Sequence, residues 1–168
     1  MKTRTAKTIS NLIYLVAAAL AVLACRIFLV PRPSGWRGGK IAEATGFLVL
    51  FSMAAEMFHW LVLTLLRSNK LPAPAQRRAA RAARLLHTFH RSVGTLAVAA
   101  LMLHFSLTAD FSHAPDLRHL TGYLMCGLVT LSVAIGLARK ANPKLMTKLH
   151  VAAAFAAALT LLVHLLAG

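Results

Sequence analysis

Charge is scarce in this chain. Of 168 residues, 14% are charged and 58% are hydrophobic, and the mean hydropathy is +0.68. That balance excludes an ordinary soluble domain. Cysteine is nearly absent too. Cys25 and Cys126 each lie inside a long apolar run with no CxxC spacing, which argues against a disulfide framework and against cysteine metal ligation. Both read as packing residues. There is no glycine-rich nucleotide motif, no Walker sequence, and no nucleophile–base arrangement outside the apolar runs, so no flavin or nicotinamide site can be built.

What is present is a series of apolar segments of about 20 residues, the length that spans a bilayer. Five can be read, at about 9–30, 41–66, 86–109, 117–138 and 149–167. They leave almost nothing over for a soluble part. The sequence therefore predicts one all-α domain over 1–168, an integral membrane bundle of five transmembrane helices. Acidic residues number 4 against 19 Lys and Arg, for a net charge of +15. The positions of these cations oppose a nucleic-acid reading. Lys2, Arg4 and Lys7 precede the first span, Arg67 to Arg84 lie between spans two and three, and Arg139 to Lys148 between four and five. Five crossings put all three groups on one side, which the positive-inside rule makes cytoplasmic. The loop cations Arg32, Arg37 and Lys40 on the other side weaken that bias. The N-terminus is then cytoplasmic and the C-terminus periplasmic, as expected for a multi-pass protein of a bacterial inner membrane.

The string Leu71-Pro72-Ala73-Pro74 reads as a stiff break. After it, residues 76–86 place Arg77, Arg81 and Arg84 on one face among alanines, which predicts a basic interfacial helix in contact with lipid. Docking of an acidic redox partner is the sharper alternative. Asn142-Pro143 marks the turn before the last span. The start of the chain resembles a signal peptide, with Val22-Leu23-Ala24-Cys25 close to a lipobox. The apolar run continues through Ile27–Val30 and Arg26 follows the cysteine, so an uncleaved anchor helix is expected.

Four histidines form two matched pairs, His90 with His104 and His150 with His164, each 14 residues apart. At about 1.5 Å per residue the members of a pair stand roughly 21 Å apart along one helix face. The faces match as well: His90, Gly94, Ala97, Leu101, His104 against His150, Ala154, Ala157, Leu161, His164. Small residues one turn from a histidine leave room for a flat macrocycle, and leucine fills the space between two of them. Intramembrane ionisable groups are rare and usually functional. Two haems stacked across the membrane, each held by one histidine from each helix, satisfy the pattern, and iron with two axial histidines is suited to electron transfer. Helices three and five run in the same direction, so His90 and His150 form an inner level and His104 and His164 an outer one. Arg84, Arg91 and Lys148 are placed to meet propionates of the inner haem, and Arg118 or His119 those of the outer.

His87, one turn before His90, is a rival ligand. Within a pair the imidazoles are too far apart for a mononuclear zinc or copper site. Glu56 and His59 are adjacent on one face of the second helix and read as an internal hydrogen bond or a neutral glutamate, with a proton path or quinone ligand as the functional alternative. His113 and His119 read as solvated loop residues.

The string His90-Arg91-Ser92-Val93-Gly94 followed by His104, then Lys148-Leu149-His150 followed by His164, resembles the ferric reductase-like transmembrane domain family. The resemblance covers about 85–168. It implies two b-type haems held by the third and fifth helices, with His90 and His150 on the inner haem and His104 and His164 on the outer. It also implies electron transfer from a cytoplasmic donor to an acceptor across the membrane. Relatives commonly have a sixth span, and the large reductases carry a flavin and nicotinamide domain; neither is found here. The second histidine pair is often one residue closer in the family. A separate flavoprotein or membrane quinol is then the expected donor, with the acceptor open. A membrane-anchor cytochrome b subunit of a quinone-linked oxidoreductase and a haem-free proton-coupled transporter are the alternatives.

Overall fold

An apolar segment with no water to bond its peptide groups must satisfy them internally, and a helix does so within one segment. The computed structural model describes residues 3–29, 39–68, 70–109, 116–138 and 142–167. Five helices occupy them: α1 (Thr3–Leu29), α2 (Gly39–Arg67), α3 (Ala73–Thr108), α4 (Leu117–Leu137) and α5 (Pro143–Leu166). Each is long and apolar enough to cross a membrane. The cations Arg32, Arg37, Arg139 and Lys140, and His113, lie outside the described residues.

The helix starts follow local chemistry. Pro72, in extended conformation, precedes α3 and Pro74 falls in its first turn, where a missing N–H matters little. Asp116 caps α4 by accepting from the His119 backbone N–H at 2.8 Å. That bond and a second one from the His119 ring hold the Asp116 carboxyl below its ordinary range. Asn142 caps α5, accepting from Leu145 N–H at 3.2 Å, with Pro143 at the first position.

One expectation is corrected. The basic stretch 76–86 is not a separate interfacial helix but the first third of α3, which runs unbroken for 36 residues. That is about 54 Å, against about 30 Å of hydrocarbon. Alanines 79, 80, 82 and 83 are strong helix formers, and no breaker separates them from the apolar part. Arg77, Arg78, Arg81 and Arg84 are all exposed along this extension. Helix α1 likewise runs through Cys25, which is exposed; Cys126 is half-buried, and both are free thiols.

Packing is inverted relative to a soluble protein. Leu15, Val22, Phe47, Phe51 and Leu159 are exposed, whereas nine of the sixteen buried apolar residues among those described are alanine. Small residues let helix backbones approach in lipid, where no hydrophobic force pushes them together. The helices pair as two hairpins, α2 with α3 and α4 with α5; α1 lies along α3, and a narrower seam joins α3 to α4. Ala24 of α1 packs with Ala42, Leu103 and Leu107. At the centre Val49, Ala100, Leu101, Met125 and Leu161 bring α2, α3, α4 and α5 into one cluster.

Candidate cofactor-binding histidines

Three of the four paired histidines are held in the same way. The His104 Nδ1 lies 2.9 Å from the Ala42 carbonyl oxygen on α2. The His150 Nδ1 lies 2.7 Å from the Ser132 carbonyl on α4, and the His164 Nδ1 lies 3.0 Å from the Arg118 carbonyl, also on α4. A carbonyl accepts only, so in each ring Nδ1 carries the proton and donates. Hydroxyls reinforce two of these, Ser132 Oγ at 3.1 Å from His150 Nδ1 and Thr121 Oγ1 at 3.2 Å from His164 Nδ1. With the proton on Nδ1, Nε2 keeps a lone pair, and in these three rings it has no hydrogen-bond partner among the described residues. Fixing Nδ1–H on a carbonyl is how a metal-ligating histidine is oriented.

A helical carbonyl already accepts the N–H four residues on, so a second donor must reach over the next turn. Glycine opens that route each time. Gly46, Gly136 and Gly122 stand four residues after Ala42, Ser132 and Arg118. A methyl at these glycines would meet the imidazole Cε1 of His104 at 3.2 Å, of His150 at 3.4 Å and of His164 at 3.4 Å.

His90 is held differently. Its Nδ1 meets the Glu56 carboxylate on α2. The expected pairing of Glu56 with His59 is not the one found: Glu56 bonds across to α3. The His59 Nε2 is buried with no hydrogen-bond partner, and its ring packs 5.2 Å from that of His90. The three side chains each offer a ligand atom, all within 4.8 Å of one another, a set able to hold a cation. The exposed His87 has its ring 6.2 Å from that of His59.

Across the bundle, the His90 and His150 ring centres stand 6.1 Å apart. No ring contact joins His104 to His164 among the described residues. Between the two levels Leu101 and Leu161 share the central cluster. Each is 11 residues beyond the first histidine of its helix, so α3 and α5 run in the same direction. A side chain at Gly94 would meet open space, whereas Ala97 and Ala157 are buried. Arg84, Arg91 and Lys148 are exposed. Arg118 serves the His104/His164 level through its carbonyl, and the His119 ring Nδ1 is 2.8 Å from Asp116.

The partners on α2 and α4 form a repeat that the histidines alone do not disclose. Ala42 and Glu56 are 14 apart, as are Arg118 and Ser132. Moving from α2 to α4 adds 76 to each partner, and moving from α3 to α5 adds 60 to each histidine. The same 76 carries Thr45-Gly46-Phe47-Leu48 onto Thr121-Gly122-Tyr123-Leu124. Both threonines are buried and donate to the carbonyls three and four residues earlier. The two hairpins thus repeat one arrangement in parallel orientation, each supplying one histidine to each level. The main-chain support differs at the His90/His150 level: Trp60 stands where the second hairpin has Gly136, and there the acceptor is the Glu56 side chain in place of a main-chain carbonyl. The recurring Thr-Gly-aromatic-Leu string was the sequence signal for Gly46 and Gly122, whereas Gly136 has no such string around it. No family model, curated protein or solved structure matches this chain.

Proposed function

We propose that this chain is a membrane cytochrome b of the ferric reductase-like kind, passing electrons across a bacterial inner membrane through two bis-histidine b-type haems. The observation that carries the reading is that four pinned imidazoles lie at two levels on two parallel helices, three of them, His104, His150 and His164, with no Nε2 hydrogen bond among the described residues. The donor chemistry fits. Metal–imidazole bonds of about 2 Å, plus about 1.1 Å from nitrogen to ring centre, separate two trans imidazole centres by about 6 Å. The His90–His150 separation of 6.1 Å agrees with that value, and it favours His90 over His87 as the ligand. His90 and His150 would hold the inner haem, His104 and His164 the outer. A haem held by these residues would supply one-electron redox chemistry. The open space at Gly94 suits a flat ring against α3. Arg91, exposed beside His90, is available to a propionate at the inner level.

The arginine extension of α3 gives the cytoplasmic side its positive charge, in keeping with an N-terminus inside and a C-terminus outside. Electrons would come from a separate flavoprotein or a membrane quinol and leave to an acceptor on the far side. A second reading has its own observation: Glu56, His59 and His90 can gather around a divalent cation, and the orphaned His59 Nε2 is in want of one.

A pyridine haemochrome assay on protein made with ample haem decides between them. Two haem b per chain are expected. His90→Ala and His150→Ala should remove one spectral component, and His104→Ala and His164→Ala the other. A chain with no Soret band that retains stoichiometric zinc would overturn the cytochrome in favour of the cation site.

A further inference from the structure

The four imidazoles are unequal, because three Nδ1 atoms face neutral main-chain carbonyls and the fourth faces a carboxylate. The internal repeat makes the inequality specific. The main-chain supports of His104 and His164 correspond between the hairpins, whereas at Glu56 they differ, since Ser132 is the equivalent residue and gives its carbonyl. Bulk accompanies the change, for Trp60 replaces the glycine that opens the route to a carbonyl. Its ring is anchored at 4.6 Å on Phe155 of α5. With the main-chain route unopened, His90 has a charged partner in place of a neutral one.

We propose that Glu56 is a positioning residue that sets the His90/His150 level at a lower reduction potential than the His104/His164 level, so that electrons run downhill from the first to the second. This rests on the haem reading above. An imidazole that binds metal through Nε2 must keep its proton on Nδ1, and the Glu56 carboxyl oxygen is placed to accept that proton's hydrogen bond. A negative partner makes the imidazole more basic and a stronger donor to the metal, and hydrogen bonding beyond the ligands is a lever on potential. It stabilises the oxidised, more positive iron. Haems held by His90/His150 and His104/His164 would supply one-electron chemistry, and the difference in potential would favour transfer of one electron from the first level, oxidised in the exchange, to the second, reduced in it. No bond forms or breaks, and the proton stays on His90 Nδ1. A flavin or quinol reductant resupplies the inner level.

The test is a redox titration of the purified holoprotein followed in the α-band region. Wild type should show two midpoints, and His104→Ala, which keeps only the inner level, should titrate below His90→Ala, which keeps only the outer. Glu56→Gln should retain two haems and raise only the lower midpoint, by at least tenfold in equilibrium constant, about 59 mV for one electron. Glu56→Asp should stay near wild type. Two haems with unmoved midpoints in Glu56→Gln would overturn the proposal while leaving the cytochrome intact. So would an upper midpoint that moves instead. Should Glu56→Gln fail to hold haem, the order of the two single-level variants still decides: an inner level titrating above the outer refutes it. Absence of haem from wild type, read beforehand by haemochrome, instead overturns the reading beneath.

Discussion

At the scale of single residues, the supporting glycines are as informative as the histidines. A carbonyl inside a helix is shielded by the turn that follows it, and the glycine removes the shield. Gly46→Val is therefore expected to displace His104 from Ala42, because even a Cβ there stands 3.2 Å from the ring. The expected outcome is loss of the outer haem and retention of the inner, read as a fall from two haems per chain to one. The paired histidines were legible in sequence because imidazole is rare and conspicuous among apolar residues. The role of Glu56 was not. Sequence spacing shows neighbours on one helix, and so suggested His59, whereas the bond to His90 depends on the register of α2 against α3, which no local pattern reveals.

At the scale of elements, the number and type of helices were legible, and their starts were less so. Apolar runs mark what lies in lipid, but α3 begins 13 residues before its expected span and α5 begins 6 before. In both cases polar residues of good helical propensity extend the element beyond the membrane, and a proline or cap ends it. The basic extension was identified as helical and amphipathic; its continuity with α3 depended on the lack of a breaker after residue 76. Helix contact itself relies on small side chains. Ala100 is fully enclosed among residues of α2, α4 and α5, so Ala100→Leu adds volume where none is free. It should destabilise the bundle by about 1–3 kcal/mol, measured by unfolding in mixed detergent micelles. A stability equal to wild type would mean that the centre is looser than the packing indicates.

At the scale of the whole molecule, a repeated hairpin arrangement gives each level two histidines, one from α3 and one from α5. An element pair repeated in parallel carries each of its sites to a second copy at the same depth, which is why the separations of 14 recur. The proposed orientation of that pair in the membrane rests on the cations. A C-terminal alkaline phosphatase fusion should be active in bacterial cells, and a C-terminal fluorescent-protein fusion dark. The reverse pattern would place the arginine extension of α3 outside and refute the proposed topology. Sequence conveyed this asymmetry of charge but not the repeated arrangement, since only a four-residue string and the spacings are shared between the hairpins.

The seam between the hairpins is the narrow one, with α3 meeting α4 over less of its length than α2 meets α3 or α4 meets α5. Each proposed haem would draw one ligand from each side of that seam. Neither hairpin can finish a site alone, so the cofactor can be captured only after both have been inserted and have met. Once captured, it acts as a clasp, and by mass action its binding is added to the stability of the closed form. Maturation of such a protein would thus depend on haem supply, and a starved cell would hold an unclasped pair of hairpins, open to quality-control proteolysis along the seam.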